Sequence, residues 1–325
     1  SMALKKKPVT GMKDILPAEM QLRDYVTGLI KETYKSFGFS PIETPCVEHI
    51  EDLCSKQGGD NEKLIFKIMK RGEKLNLEQA KEEADLTDSG LRYDLTVPLS
   101  RFYSNNANDL PTPFKALQIG SVWRADRPQR GRYRQFMQCD IDILGEATCL
   151  AEIELILATT TLLGKLNFKD FKVRINERRI LKAMAAYSGF SEEEYDQVFI
   201  ILDKMDKIGW DGVKAELLEA GYPEKNVETY VSMFGDMESA RDSLAYLEEK
   251  LSGVLEDGVI ENLRMIRESV EDTAAAQFQL VFDPTLVRGM SYYTGTIFEI
   301  EMAEFGSSVA GGGRYDKMIG KFTGK

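Results

Sequence analysis

The chain has 325 residues, 43% of them hydrophobic and 29% charged, and a formal net charge of −11. This is the composition of an ordinary globular protein, neither disordered nor fibrous, and no apolar run reaches the ~18 residues needed to span a bilayer. Bulk acidity argues against nonspecific binding of nucleic acid but leaves room for a local basic surface.

The four cysteines, Cys46, Cys54, Cys139 and Cys149, form no C-x-x-C pair, and His49 is the single histidine. No zinc site is expected from that set, and buried free thiols in a reducing cytoplasm are the natural reading. Lys5, Lys6 and Lys7 have no apolar segment behind them, so a signal peptide is not expected there.

In chain order, Leu22, Tyr25, Val26, Leu29, Ile30 and Tyr34 recur at helical spacing and predict a helix over 17–37, ended by Gly38. Ser40 to Pro45 reads as extended, because each proline restricts the residue before it. Residues 64–69 and 91–97 read as strands, with a charged loop or short insertion at 77–88. A hairpin is predicted from strands 114–124 and 134–144, then a helix over 150–166 and a strand over 170–176. From 178 to 272 the pattern is helical, with little strand signal. Strands resume at 278–282 and 294–301, followed by the glycine-rich stretch 307–316. Many strands joined by short turns, with helices alongside, predict an α+β fold with an antiparallel sheet flanked by helices and an inserted helical subdomain. Neither G-x-G-x-x-G nor a Walker sequence stands at a strand-to-helix junction.

The hairpin carries the chemistry. Arg124, Arg127, Arg130, Arg132 and Arg134 crowd its loop, and a guanidinium pairs with two oxygens of a phosphate or carboxylate at once. In the second strand Gln138, Asp140 and Asp142 alternate with Met137, Cys139, Ile141 and Ile143, so period two places the three polar side chains on one face. An anion and a cation could share a pocket there. A solvated hairpin with a polar outer face fits the same pattern, and the residues alone leave Asp140 and Asp142 interchangeable.

Gly11-Met-Lys-Asp-Ile-Leu-Pro17, Gly38-Phe-Ser-Pro-Ile-Glu-Thr-Pro45 and Arg124 to Phe136 resemble the opening, motif 1 and motif 2 of class II aminoacyl-tRNA synthetases. Leu286 to Gly295 and Ser308 to Asp316 resemble the two motifs specific to the histidyl-tRNA synthetase family. The resemblance covers nearly the whole chain. It implies a class II synthetase-like fold, with 1–177 and 273–325 as two parts of a catalytic core and 178–272 as an inserted subdomain that leans on the tRNA acceptor stem. It implies activation of L-histidine with ATP and magnesium, transfer to histidine tRNA, a cytoplasmic homodimer and no membrane.

By resemblance, Arg124 meets the α-phosphate and the carboxylate, Asp126 reads the adenine end, and Arg132 reaches the outer phosphates. Arg288 is the catalytic arginine. Asp94 and Thr96, taken as one face of a strand, hold the α-amino group with Gln138. Asp142 and Tyr293 hold the imidazole, whose neutral form offers one donor and one acceptor nitrogen. Gly311, Gly312 and Gly313 form a pocket wall against which the ligand can lie closely. Tyr292 is expected to be a core aromatic, while Arg127, Arg130 and Arg134 fit either structural roles or an approach to the tRNA end.

Met137 and Ser291 depart from the family's pattern, and Met137 is expected to face the core. Motif 3 and the anticodon-binding domain, which follow in the family, are not in this sequence. The expectation is therefore a truncated synthetase, with an exposed sheet edge and impaired activation. Two rivals share the fold: the synthetase-like regulatory subunit of ATP phosphoribosyltransferase, and a noncatalytic tRNA-sensing module. Neither has need of both Arg124 and Arg288.

Overall fold

The computed structural model describes residues 3–54, 61–129, 131–289, 293–302 and 307–315. The chain divides into two compact units, Ser1–Ala147 and Thr148–Asp316.

In the first unit, helix α1 (Pro17–Ser36) starts on a proline, whose missing N–H is no loss in a first turn. Gly38, with φ of 87°, ends it, and the Phe39 N–H returns to the Tyr34 carbonyl at 3.1 Å. Strand β1 (Ser40–Pro41), strand β2 (Val47–His49), helix α2 (Ile50–Cys54), strand β3 (Lys67–Met69), strand β4 (Thr87–Leu91) and helix α3 (Thr96–Asn106) follow. The long hairpin is β5 (Phe114–Trp123) and β6 (Gln135–Leu144), paired without a slip from Phe114↔Leu144 to Trp123↔Gln135. One sheet has the order β1-β5-β6 and a second the order β2-β4-β3. Tyr34, Phe39, Leu95, Leu99, Phe114, Leu117 and Val122 are buried in this unit.

Four local expectations are corrected, the first being the thiols: Cys149 is buried, but Cys46, Cys54 and Cys139 are exposed. Residues 91–97 are not a strand: β4 ends at Leu91, and Thr96 opens α3. Asp94 lies in the intervening turn, where its Oδ1 accepts from the Val97 N–H at 3.3 Å. Asp94 and Thr96 therefore do not share a strand face. Residues 64–69 shrink to β3, preceded by a 3-10 turn at Asn61–Leu64. Met137 does not face the core, for its side chain is 48% exposed. The polar face of β6 turns inward instead, burying Asp142 and half-burying Gln138 and Asp140.

The second unit opens with α4 (Leu150–Lys165) and β7 (Phe171–Glu177). Six helices separate β7 from its neighbour: α5 (Arg178–Tyr187), α6 (Tyr195–Leu202), α7 (Met205–Glu219), α8 (Glu224–Ser239), α9 (Ser243–Lys250) and α10 (Val259–Thr273). Then come β8 (Phe278–Phe282), β9 (Thr296–Met302) and β10 (Ser307–Gly313), in a sheet of order β10-β9-β7-β8. β7 and β8 are parallel, which requires a long crossover, and the helices supply it. One apolar core runs from Ile153 and Ile156 of α4 through Val173 and Ile175 of β7 to Tyr230 and Phe234 of α8.

Candidate active-site residues in each unit

In the first unit the polar face of the hairpin is built from both strands. Gln138 stands opposite Gly120, Asp140 opposite Gln118, and Asp142 opposite Ala116. Directly paired residues share a face, so the small Ala116 and Gly120 leave space beside the polar side chains. Gln118, 3% exposed, donates from Nε2 to the Leu95 carbonyl at 3.1 Å. That bond brings the turn bearing Asp94 and Thr96 to the hairpin. Gln138 donates from Nε2 to Asp140 Oδ1 at 3.0 Å. Its Oε1 is buried with no hydrogen-bond partner among the described residues, which leaves an acceptor for a ligand cation.

Sequence reasoning missed Arg92 and Gln118. Arg92 is buried and donates to the Ser121 carbonyl at 2.8 Å and to the Thr44 carbonyl at 3.1 Å. A Cβ on Gly120 would collide with its guanidinium. The clue lies in the alternation of Ala116, Gln118 and Gly120: small residues at i and i+4 on one strand face flank a close approach.

The arginine loop divides into structural and outward-facing members. Arg124 donates from Nε to the Tyr93 carbonyl at 3.0 Å, and its guanidinium lies 5.2 Å from the centre of the Phe136 ring. Arg134 is structural. Its N–H donates to the Gly11 carbonyl at 2.7 Å, its Nε donates to the Asp126 carbonyl at 2.9 Å, and its stem fills the space left by Gly11. Asp126, Arg127 and Arg132 are exposed. Arg130, Ser291 and Tyr292 lie outside the described residues.

In the second unit Arg288 and Tyr293 sit over β10. A Cβ on Gly311 would stand 2.5 Å from Arg288 Cζ, and one on Gly313 would stand 2.8 Å from Tyr293 Cγ. Gly312 faces the other way, against Phe298. Arg288 Nη1 lies 3.7 Å from Glu299 Oε2, and its Nε is buried without a partner among the described residues. Arg314 pairs with the buried Glu152 and donates to the Thr148 carbonyl at 2.8 Å. Burial favours the neutral form of Arg174, but the Asp283 and Glu301 carboxylates outweigh it and raise its pKa above the ordinary guanidinium value.

Among the described residues no group of three or more His, Cys, Asp or Glu side chains is placed to hold a metal. No described helix is long and apolar enough to cross a membrane.

A family model described as Histidyl-tRNA synthetase matches residues 11–325. The chain is 45% identical over 343 residues to a protein named Histidine--tRNA ligase from Leifsonia xyli subsp. xyli, covering 98% of this chain and 75% of that one. Among solved structures it is similar to histidyl-tRNA synthetase from Nostoc sp. PCC 7120, with a TM-score of 0.81, 27% identity, and coverage of 99% and 72% of the two chains. A structure described as an ATP phosphoribosyltransferase regulatory subunit/histidyl-tRNA synthetase from Bacillus halodurans C has a TM-score of 0.79 at 22% identity, covering 99% of this chain and 79% of that one; it shares the fold alone.

Proposed function

The chain belongs to the histidyl-tRNA synthetase family, and from that premise we propose which residues carry each part of its reaction. It is an aminoacyl-tRNA synthetase, a histidine–tRNA ligase. It activates L-histidine with ATP to histidyl-adenylate and transfers histidine to the 3′ end of its tRNA.

The inward-turned polar face of β6 carries the assignment of the histidine groups. Asp94, Thr96 and Gln138 take the α-ammonium. Asp94 is 6% exposed and Gln138 presents a buried acceptor, a pairing suited to a cation brought out of water. Asp142, 8% exposed, and Tyr293 take the imidazole nitrogens. A rival amino acid without that donor and acceptor leaves buried polar groups unpaired, which discriminates strongly.

Activation crowds a carboxylate against phosphates, so fixed cations stabilise the charge that develops. Arg124 serves the carboxylate and the α-phosphate, Asp126 the adenine end, and Arg132 the outer phosphates. Arg288 is the second catalytic arginine. Magnesium, implied by the class, enters with ATP as the MgATP substrate.

Residues 1–177 and 273–325 are read as the two parts of the catalytic core, with 178–272 inserted. The insert holds twice as many Asp and Glu as Lys and Arg, enough to account for the whole net charge of −11. A polyanionic acceptor stem finds few partners on such a surface, so the exposed Arg127 is the better candidate to meet the tRNA end. A homodimer fits the exposed Met20, Leu22 and Tyr25 of α1, which span 45% to 68% exposure, and the family's role in charging tRNA fits a cytoplasmic location.

The regulatory-subunit reading has less behind it than the ligase, because the solved structure so described shares the fold at 22% identity whereas the relative at 45% identity is named a ligase. Histidine-dependent exchange of pyrophosphate into ATP tests the assignment. Arg124→Ala and Arg288→Ala should each abolish exchange, and retention of full exchange by either variant would remove that arginine from the chemistry.

A further inference from the structure

Arg288 is reached by a short loop after β8, and that loop is fastened to three successive residues of β7. Arg174 donates from Nε to Asp283 Oδ2 at 2.6 Å, with Nη2 at the same distance from that oxygen, and from Nη1 to Glu301 Oε1 at 2.6 Å. The Asp283 N–H donates to the Ile175 carbonyl at 2.9 Å. Asn176, fully buried, donates from Nδ2 to the Leu286 carbonyl at 3.0 Å. The second oxygen of Asp283 is also engaged, accepting from the Thr285 N–H at 2.9 Å and the Thr285 hydroxyl at 2.6 Å. Leu286 and Val287 are buried, so the chain is held up to the residue before Arg288.

Three anchors on a six-residue loop exceed what chain connection requires. Among the described residues the guanidinium of Arg288 has no comparably close ion pair: its nearest carboxylate contact, with Glu299, is at 3.7 Å. Its direction is therefore set through its backbone. Resting on the catalytic role assigned to Arg288 above, we propose that Asp283, held by Arg174, and Asn176 are positioning residues that fix Arg288 for the activation step.

The positions act through Arg288 and touch no substrate in this assignment, so they should alter turnover more than binding. Asp283→Asn keeps the shape and removes the charge that holds Arg174. It should lower kcat for histidine-dependent pyrophosphate exchange on the order of 10- to 100-fold, the scale of a misplaced catalytic group. KM for histidine and for ATP should stay within about twofold. Thr285→Val removes a single hydroxyl bond to the same carboxylate and should give a smaller loss of kcat, which keeps the test open if Asp283→Asn folds poorly.

A double-mutant cycle separates positioning from general destabilisation. Measured as single-turnover adenylate formation, Asp283→Asn should cost less than about threefold once Arg288→Ala is in place, since the group it positions is gone. Equal losses in both backgrounds, a change confined to KM, or no loss in Asp283→Asn and Thr285→Val would overturn the proposal. Full activity in Arg288→Ala itself would instead overturn the catalytic role on which it rests.

Discussion

Gly313 lies flat against the ring of Tyr293. A Cβ at that position would stand 2.8 Å from two ring carbons and 2.9 Å from the Thr296 carbonyl oxygen. Both obstacles are stiff: one is an aromatic ring, the other is backbone. Gly313→Ala should therefore displace Tyr293 or open the β9–β10 pairing, at a cost of roughly 1–3 kcal/mol in stability. Histidine KM should rise at least tenfold by order of magnitude, measured by pyrophosphate exchange beside a denaturant melt.

The same substitution two residues earlier should behave differently. At Gly311 the obstructing atoms are the far end of Arg288, which can swing away. Gly311→Ala should leave the melting temperature nearly unchanged and lower kcat instead. A stability loss equal to that of Gly313→Ala, with kcat intact, would contradict this contrast.

Arg92 ties together the segment before β2, the turn after β4, and β5. Arg92→Leu would strand the Thr44 and Ser121 carbonyls that accept from it. Replacing a charged donor of this kind should cost on the order of 3 kcal/mol, and Gly120→Ala should destabilise in the same direction. Chemical denaturation measures both, and a loss below ~0.5 kcal/mol in Arg92→Leu would show the bonds to be dispensable.

Asp140 and Asp142 are no longer interchangeable. Asp140 receives the Gln138 amide, whereas Asp142 is the more buried of the two. Asp142→Asn should raise histidine KM on the order of 100-fold, the cost of a charged hydrogen bond lost in a buried site, and Asp140→Asn by much less. The reverse ranking in exchange kinetics would move the imidazole contact to Asp140.

The long elements were legible because their signals are strong. Alternation from Met137 to Ile143 marks β6, and Gly38 closes α1 after a clear helical stripe. The turn at Asp94 departs from the strand pattern for a physical reason. Leu91, Tyr93, Leu95 and Val97 do alternate, but Asp94 caps the Val97 N–H and Pro98 fits a first helical turn. The Asp-x-x-Val-Pro order carries this helix start and outweighs the period.

β6 shows a second limit. Alternation says which residues share a face but not which face looks inward. The usual rule sends Met137 into the core and the acids to water, and here Asp142 is buried while Met137 is exposed. Arg174, Asn176 and Asp283 left no local signal at all. They meet only because β7 and β8 are neighbours across six intervening helices.

A histidine-activation site binds its ligands in the folded state, so thermal unfolding with ligands reads it out. A ligand that binds only the folded state raises stability by RT ln(1 + [L]/Kd). A nonhydrolysable histidyl-adenylate analogue should give the largest rise in Tm, L-histidine a smaller one, and the other amino acids none. No shift with either the analogue or L-histidine, or equal shifts across the amino acids, would contradict the account.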